Sequence, residues 1–152
     1  MSAVLISAFV LGIVCGLRAV LGIAAVSWAA SSQHLPLEGT WLSFLGNRIT
    51  ACIISVLAIG EIINDKLPKT PSRLIPPQFG ARVVTGALTG TAIGLSHGQV
   101  VAGAVAGIVG SVVGTVGGAK ARGFVAQLFG RDLPAALLED VLAIVLAFVA
   151  LR

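Results

Sequence analysis

Charge is scarce in this chain: of 152 residues only 11% are Asp, Glu, Lys or Arg, against 57% apolar ones and a mean hydropathy of +1.03. A soluble domain of this length cannot hide so much apolar surface, so the composition excludes that class and points to a membrane protein. Cysteine is nearly missing as well. Cys15 and Cys52 lie in separate apolar runs with no partner at metal spacing, which reads as two small buried hydrophobes, not a disulfide or zinc site. His34 and His97 fall in turns with no nucleophile near them in sequence. A nucleophile elbow, paired metal histidines, a phosphate loop and heptads are all lacking, so the sequence carries no enzyme signature. Nor does a Lys or Arg precede the apolar start to form the n-region of a signal peptide, and the first stretch is expected to be a retained span.

What the chain has instead is five apolar stretches. Residues 3–30, 41–63, 80–95, 100–119 and 135–151 are predicted as the transmembrane helices of one all-α, polytopic domain covering 1–152. At about 1.5 Å per residue the first is more than long enough for a hydrocarbon core of about 30 Å. Trp28 and Trp41 flank a first loop without Lys or Arg and are expected in an outer interfacial belt, and the turn at 96–99 has no basic residue either. Basic charge gathers at Lys66, Lys69 and Arg73 and again at Lys120, Arg122 and Arg131. The positive-inside rule places both of these loops in the cytoplasm, with the amino terminus cytoplasmic and the carboxy terminus outside. The net charge of +4 is thereby accounted for, and nucleic acid is not expected as a partner. Arg48 falls about two turns into the second span, Pro76 and Pro77 impose an extended approach to the third, and Asp132 is placed to cap the last helix with Pro134 in its first turn.

The densest polar stretch is 61–82, E-I-I-N-D-K-L-P-K-T-P-S-R-L-I-P-P-Q-F-G-A-R. Glu61 and Asp65 are four apart at a helix end, so their carboxylates share a face with Asn64 beside them. Three roles fit: pairing to Lys66, Lys69, Arg73 or Arg82 that fixes the loop, a proton or ion relay, or a divalent cation held at Glu61 and Asp65, the one cofactor the sequence allows. Arg18 lies deep in the first span and should find an acidic partner, for which Glu61, Glu139 and Asp140 are the candidates, or contact a substrate anion. Arg82, in G-A-R-V-V-T-G, echoes Arg18 in G-L-R-A-V-L-G, and two such arginines suit a carboxylate or phosphate. Glu139 and Asp140 sit early in the fifth span, where the helix dipole favours them.

Nineteen glycines point to close helix packing, because small residues let backbones approach where lipid gives no hydrophobic drive. Gly86, Gly90 and Gly94 form one ridge and Gly110, Gly114 and Gly118 another. They serve as helix contacts, or clear a pathway. Five small spans can hardly enclose a site alone, so a homodimer is expected. Gly12, Val14, Gly16 and Arg18 match Gly114, Val116, Gly118 and Lys120 in spacing. In spans one and four the copies would run in opposite directions, as an inverted repeat does.

The loop E-I-I-N-D-K-L-P-K-T-P-S-R, with G-L-R-A-V-L-G before it and G-A-R-V-V-T-G-A-L-T-G after it, resembles a bacterial family of small integral membrane proteins of unassigned activity, over nearly the whole chain. The resemblance implies a membrane location, for which the bacterial inner membrane is expected, and draws attention to Glu61, Asp65, Lys66, Pro68, Pro71 and Arg73. It brings no chemistry with it. The sequence thus leads first to a carrier or channel for an ion or small anion, proton-coupled through Glu61 and Asp65, with Arg18, Asn64, Lys66, Arg73 and Arg82 among its contacts. A membrane enzyme acting on a lipid phosphate and a non-catalytic assembly subunit stand beside it.

Overall fold

The computed structural model describes residues 2–152, and among these the chain is all-α. Its helices are α1 (Ser2–Leu17), α2 (Leu21–Ser31), α3 (Arg48–Asn64), α4 (Pro76–Leu95), α5 (Val100–Phe129) and α6 (Asp132–Ala150), with a short 3-10 turn at Ser43–Gly46 before α3. Two of them, α5 and α6, are long and apolar enough to cross a membrane.

The largest departure from expectation is at the start. Residues 3–30 do not make one span: the chain breaks at Arg18–Val20 and turns back, so that Gly22 lies against Leu11 and Cys15 of α1. Trp28 then bonds Ser55 through its indole Nε1 at 2.8 Å, holding α2 along α3. The second expected span is also shorter. Residues 41–47 form loop and turn, Asn47 caps α3 by accepting the Ile49 N–H at 2.9 Å, and Arg48 is the exposed first residue of the helix, not two turns inside it. Pro76 and Pro77 are the first residues of α4, where a missing N–H costs nothing, and Ile75 just before them is extended, as the approach was expected to be. Asp132 likewise is the first residue of α6, with no capping bond from Arg131 before it. Past residue 119 α5 continues to Phe129 and stops at Gly130, whose φ of 66° is the left-handed conformation that glycine tolerates. At 30 residues it is about 45 Å long, well over the hydrocarbon thickness.

Glycine sets how the central helices meet. Gly110, Gly114 and Gly118 of α5 lie against Phe9, Ile13 and Leu17 of α1 in turn, so α1 and α5 run parallel. Gly94, Gly90 and Gly86 of α4 lie against Gln99, Gly103 and Gly107, so α4 and α5 are antiparallel. A Cβ at any of these glycines would collide with the facing segment, with its backbone in every case but Gly118, where the obstacle is the end of the Leu17 side chain, and Gly107 is pressed from both sides, by Gly12 and by Gly86 with Gly90. The parallel course of α1 and α5 corrects the inverted-repeat expectation: the two Gly-x-Val-x-Gly-x-basic copies point the same way. Six helices in place of five also change the ends. Ser2 lies at the end of the bundle opposite residues 65–75, so the amino terminus and the polar loop do not share a side.

The apolar core, with Leu11, Val14, Val26, Ile93, Ala143 and Ala147, fills that opposite end, and the loop leucines Leu35, Leu37 and Leu42 are tucked into it. Outward faces remain apolar: Ile49, Ile53 and Leu57 on α3, Val101 and Val105 on α5, and Val145 and Phe148 on α6 are all exposed.

Candidate functional site

The break between α1 and α2 is the centre of the polar chemistry. A helix that ends leaves carbonyls bare and one that starts leaves N–H groups bare, with a negative and a positive dipole end respectively. Here the end of α1 is buried and the start of α2 is half-buried, and each is met by the opposite charge from another helix. Arg82 of α4 donates from Nη1 to the carbonyls of Gly16 and Leu17 at 2.8 and 2.7 Å. Glu61, in the last turn of α3, accepts the Ala19 N–H at 2.7 Å and the Val20 N–H at 2.9 Å, one on each carboxylate oxygen. Arg82 Nη2 and Glu61 Oε1 are 3.7 Å apart.

Arg18, in the break itself, has no solvent exposure. Its Nε donates to Asp140 Oδ1 at 2.6 Å, and its Nη1 lies 2.7 Å from Asp65 Oδ2. Nη1 and Nη2 sit at ion-pair distance from carboxylates without the alignment of a hydrogen bond, so their attraction is charge to charge. Around this pair the layer widens. Arg73 grips both oxygens of Glu139, with Nη2 to Oε2 at 2.8 Å. Lys66 Nζ reaches Asp140 Oδ2 at 2.5 Å and the Ile62 carbonyl at 3.1 Å. Arg122 bridges Asp65 and Asp132, its Nε 2.8 Å from Asp132 Oδ1, with Glu139 at 3.6 Å. Five cations thus meet five carboxylates in one layer, and of the acidic residues in the chain only Glu38 stands apart. Asp65 lies just past the end of α3. Burial works against its charged form, and the bonds and charges of Arg18 and Arg122 outweigh that, holding its carboxyl below the usual carboxylate range.

Of the residues singled out from sequence, Arg18, Glu61, Asp65, Lys66, Arg73 and Arg82 meet in this layer. Asn64 does not: the residue is exposed, and its backbone carbonyl accepts from Thr70 Oγ1. Lys69 is exposed on the loop. Glu61 and Asp65 turn to different cations, and among the described residues no three His, Cys, Asp or Glu side chains converge as a metal site would need. Arg122 was not singled out, although the signal existed: it is the next step of the ridge Gly110, Gly114, Gly118. A cavity of about 620 Å³ opens beside the layer, lined by Asp65, Lys66, Thr70, Arg73, Arg122 and Asp132 among others. It reaches neither Arg18 nor Glu61; the Arg122–Asp65 pair stands between.

The chain belongs to the family described as a domain of unknown function (DUF4126), which matches residues 5–152. No curated protein and no solved structure matches it.

Proposed function

We propose that this member of the family is a polytopic protein of the bacterial inner membrane that carries a small ion or anion, with the ionic layer around the α1–α2 break as its working centre. The observation that carries the reading is the break itself: a buried helix end capped by Arg82 and a half-buried helix start capped by Glu61, beside an arginine with no exposure at all. Ionised groups in a lipid-embedded interior are costly, and a bundle selected for stability alone gains by replacing them with apolar side chains. Interrupted helices whose ends face a polar centre are a recurring device of carriers. The exposed apolar faces of α3, α5 and α6 support a lipid surround. Because Lys66, Lys69, Lys120 and Arg131 gather at the polar end, that end is the cytoplasmic one, and both termini then lie outside. This reverses the expected amino-terminal side. Glu61 and Asp65 are the candidates to carry a coupled proton, and a second copy of the chain is the proposed partner.

The seal formed by Arg122 and Asp65 between the cavity and Arg18 favours a second reading, a non-catalytic assembly subunit in which the layer is a permanent lock. A lipid-phosphate enzyme has less support, since Lys66 and Arg73 are already engaged by Asp140 and Glu139. Reconstitution into liposomes separates these. Flux of chloride, nitrate, acetate or protons above empty vesicles, lost in Arg18→Gln and in Glu61→Gln, supports the carrier. Flux that neither substitution alters, or no flux of any of the four, leaves the assembly subunit.

A further inference from the structure

We propose that the carboxylate of Glu61 occupies, as a tethered stand-in, a binding site for a small monovalent anion, and that such an anion takes its place when the carboxylate is withdrawn. The proposal deepens the carrier reading and rests on it for its purpose, although the site itself is argued from geometry. The first element is the start of α2, an eleven-residue helix with no side-chain cap of its own. The Ala19 and Val20 N–H groups just ahead of its first residue converge on the two oxygens of one carboxylate, at 2.7 and 2.9 Å. Paired amides at a positive dipole end bind anions in general, not only a tethered one.

The second element is independent of the helix end. Arg82 is only 4% exposed, and it is incompletely used: Nη1 holds the α1 carbonyls, Nη2 is 3.7 Å from Glu61, beyond hydrogen-bond distance, and Nε has no acceptor at all. A buried guanidinium with spare donors beside an occupied anion seat leaves positive potential there that one carboxylate at that distance does not consume. The other cations of the layer are spent elsewhere, Arg18 on Asp140 and Asp65, Arg73 on Glu139. Glu61 is the more movable side of the contact, since its side chain is 18% exposed where the guanidinium is not. The donor set, two amides and one guanidinium edge, matches a carboxylate or halide of single charge in the space of one carboxymethyl group.

Glu61→Ala removes that group and leaves the amides and Arg82 in place. The purified variant is melted in chloride, formate, acetate or gluconate at equal ionic strength, gluconate being too bulky for the vacated space. The expected result is a midpoint below that of the parent protein that chloride, formate and acetate raise by about 3–5 °C over gluconate, while the parent protein shows no such preference. Equal midpoints in all four salts, or the same preference in the parent, would overturn the proposal. If Glu61→Ala does not fold, Glu61→Ser, whose short polar side chain also vacates the seat, is read in the same way. The outcomes also separate the two ideas. Anion-dependent melting of the variant without flux in the parent protein keeps the site and removes the carrier, whereas flux in the parent without anion dependence in the variants does the reverse.

Discussion

At Gly103, Gly107, Gly110 and Gly114, α5 meets α4 or α1 backbone to backbone, with no room for an added Cβ. At Gly118 and Arg122 the same helix meets charged side chains instead: Glu139 and Arg73 lie beside Gly118, and Arg122 reaches Asp65, Asp132 and Glu139. One half is held by dispersion at very short range, which needs small residues and tolerates no addition. The other is held by paired charges, and at its buried centre removing one partner strands the other. The boundary between them falls at the α1–α2 break, where Gly16 still packs against Ser111 and Thr115 while Arg18, two residues on, is wholly in the ionic layer. Packing of the first kind makes a rigid wall. The second kind has alternative partners within reach, so the movable part of the molecule is expected at the polar end.

Removing a charge from the centre of the polar half should have the largest effect. Arg18→Met leaves Asp65 and Asp140 facing an apolar group, and breaking a buried pair from one side costs about 3–5 kcal/mol. The triple variant with Asp65→Asn and Asp140→Asn should recover much of that loss, because the cost lies in the stranded carboxylates. Thermal unfolding of the parent protein and the two variants in detergent measures it. A triple variant no more stable than Arg18→Met would show that the layer is not held as a charge set.

Adding one atom to the apolar half comes next. Gly107→Ala places a methyl between Gly86 and Gly90 on one side, with Gly12 behind it, and overpacking of this kind costs about 1–3 kcal/mol. Gly117→Ala, where nothing lies within 4 Å, is the control and should gain about 0.5–1 kcal/mol from helix propensity alone. Opposite signs at two glycines ten residues apart on one helix would confirm that position, not residue type, decides. Equal effects would dissolve the distinction between seam and surface.

How far the sequence reveals this division depends on the range of the cause. Arg18 in an apolar run announces a need for an acidic partner, and Asp140 is among the few candidates, because only six acids exist to choose from. The four-residue spacing of Gly86, Gly90 and Gly94 is readable as a ridge, but that Gly103 and Gly107 lie opposite is not. The reversal at Arg18–Val20 is illegible locally. Ala19, Val20 and Leu21 continue the hydropathy without proline or a polar cap, and what stabilises the break comes from Glu61 and Arg82, more than forty residues away. A window along the chain sees one long span where the fold has a hairpin. Arg122 differs: its place on the Gly110, Gly114, Gly118 ridge is legible in the spacing, whereas its charge alone suggests a solvated helix end.

The smallest effect is expected at the outer edge of the polar half, and it tests whether the layer is graded or uniform. Asp132 bonds Arg122 as closely as the inner carboxylates bond their cations, yet its side chain is 59% exposed where those of Glu139 and Asp140 are 6% and 10%. Water screens an exposed pair and solvates either partner once the other is gone, so such pairs contribute about 0.2–1 kcal/mol. Arg122 also keeps Asp65 and Glu139 when Asp132 is lost. Asp132→Asn should therefore lower stability only within that range, and Asp140→Asn, which takes a partner from both Arg18 and Lys66, several times more. If the two substitutions cost the same, geometry at the cation and not distance from water governs the layer, and the polar end is as rigid as the glycine seam it adjoins.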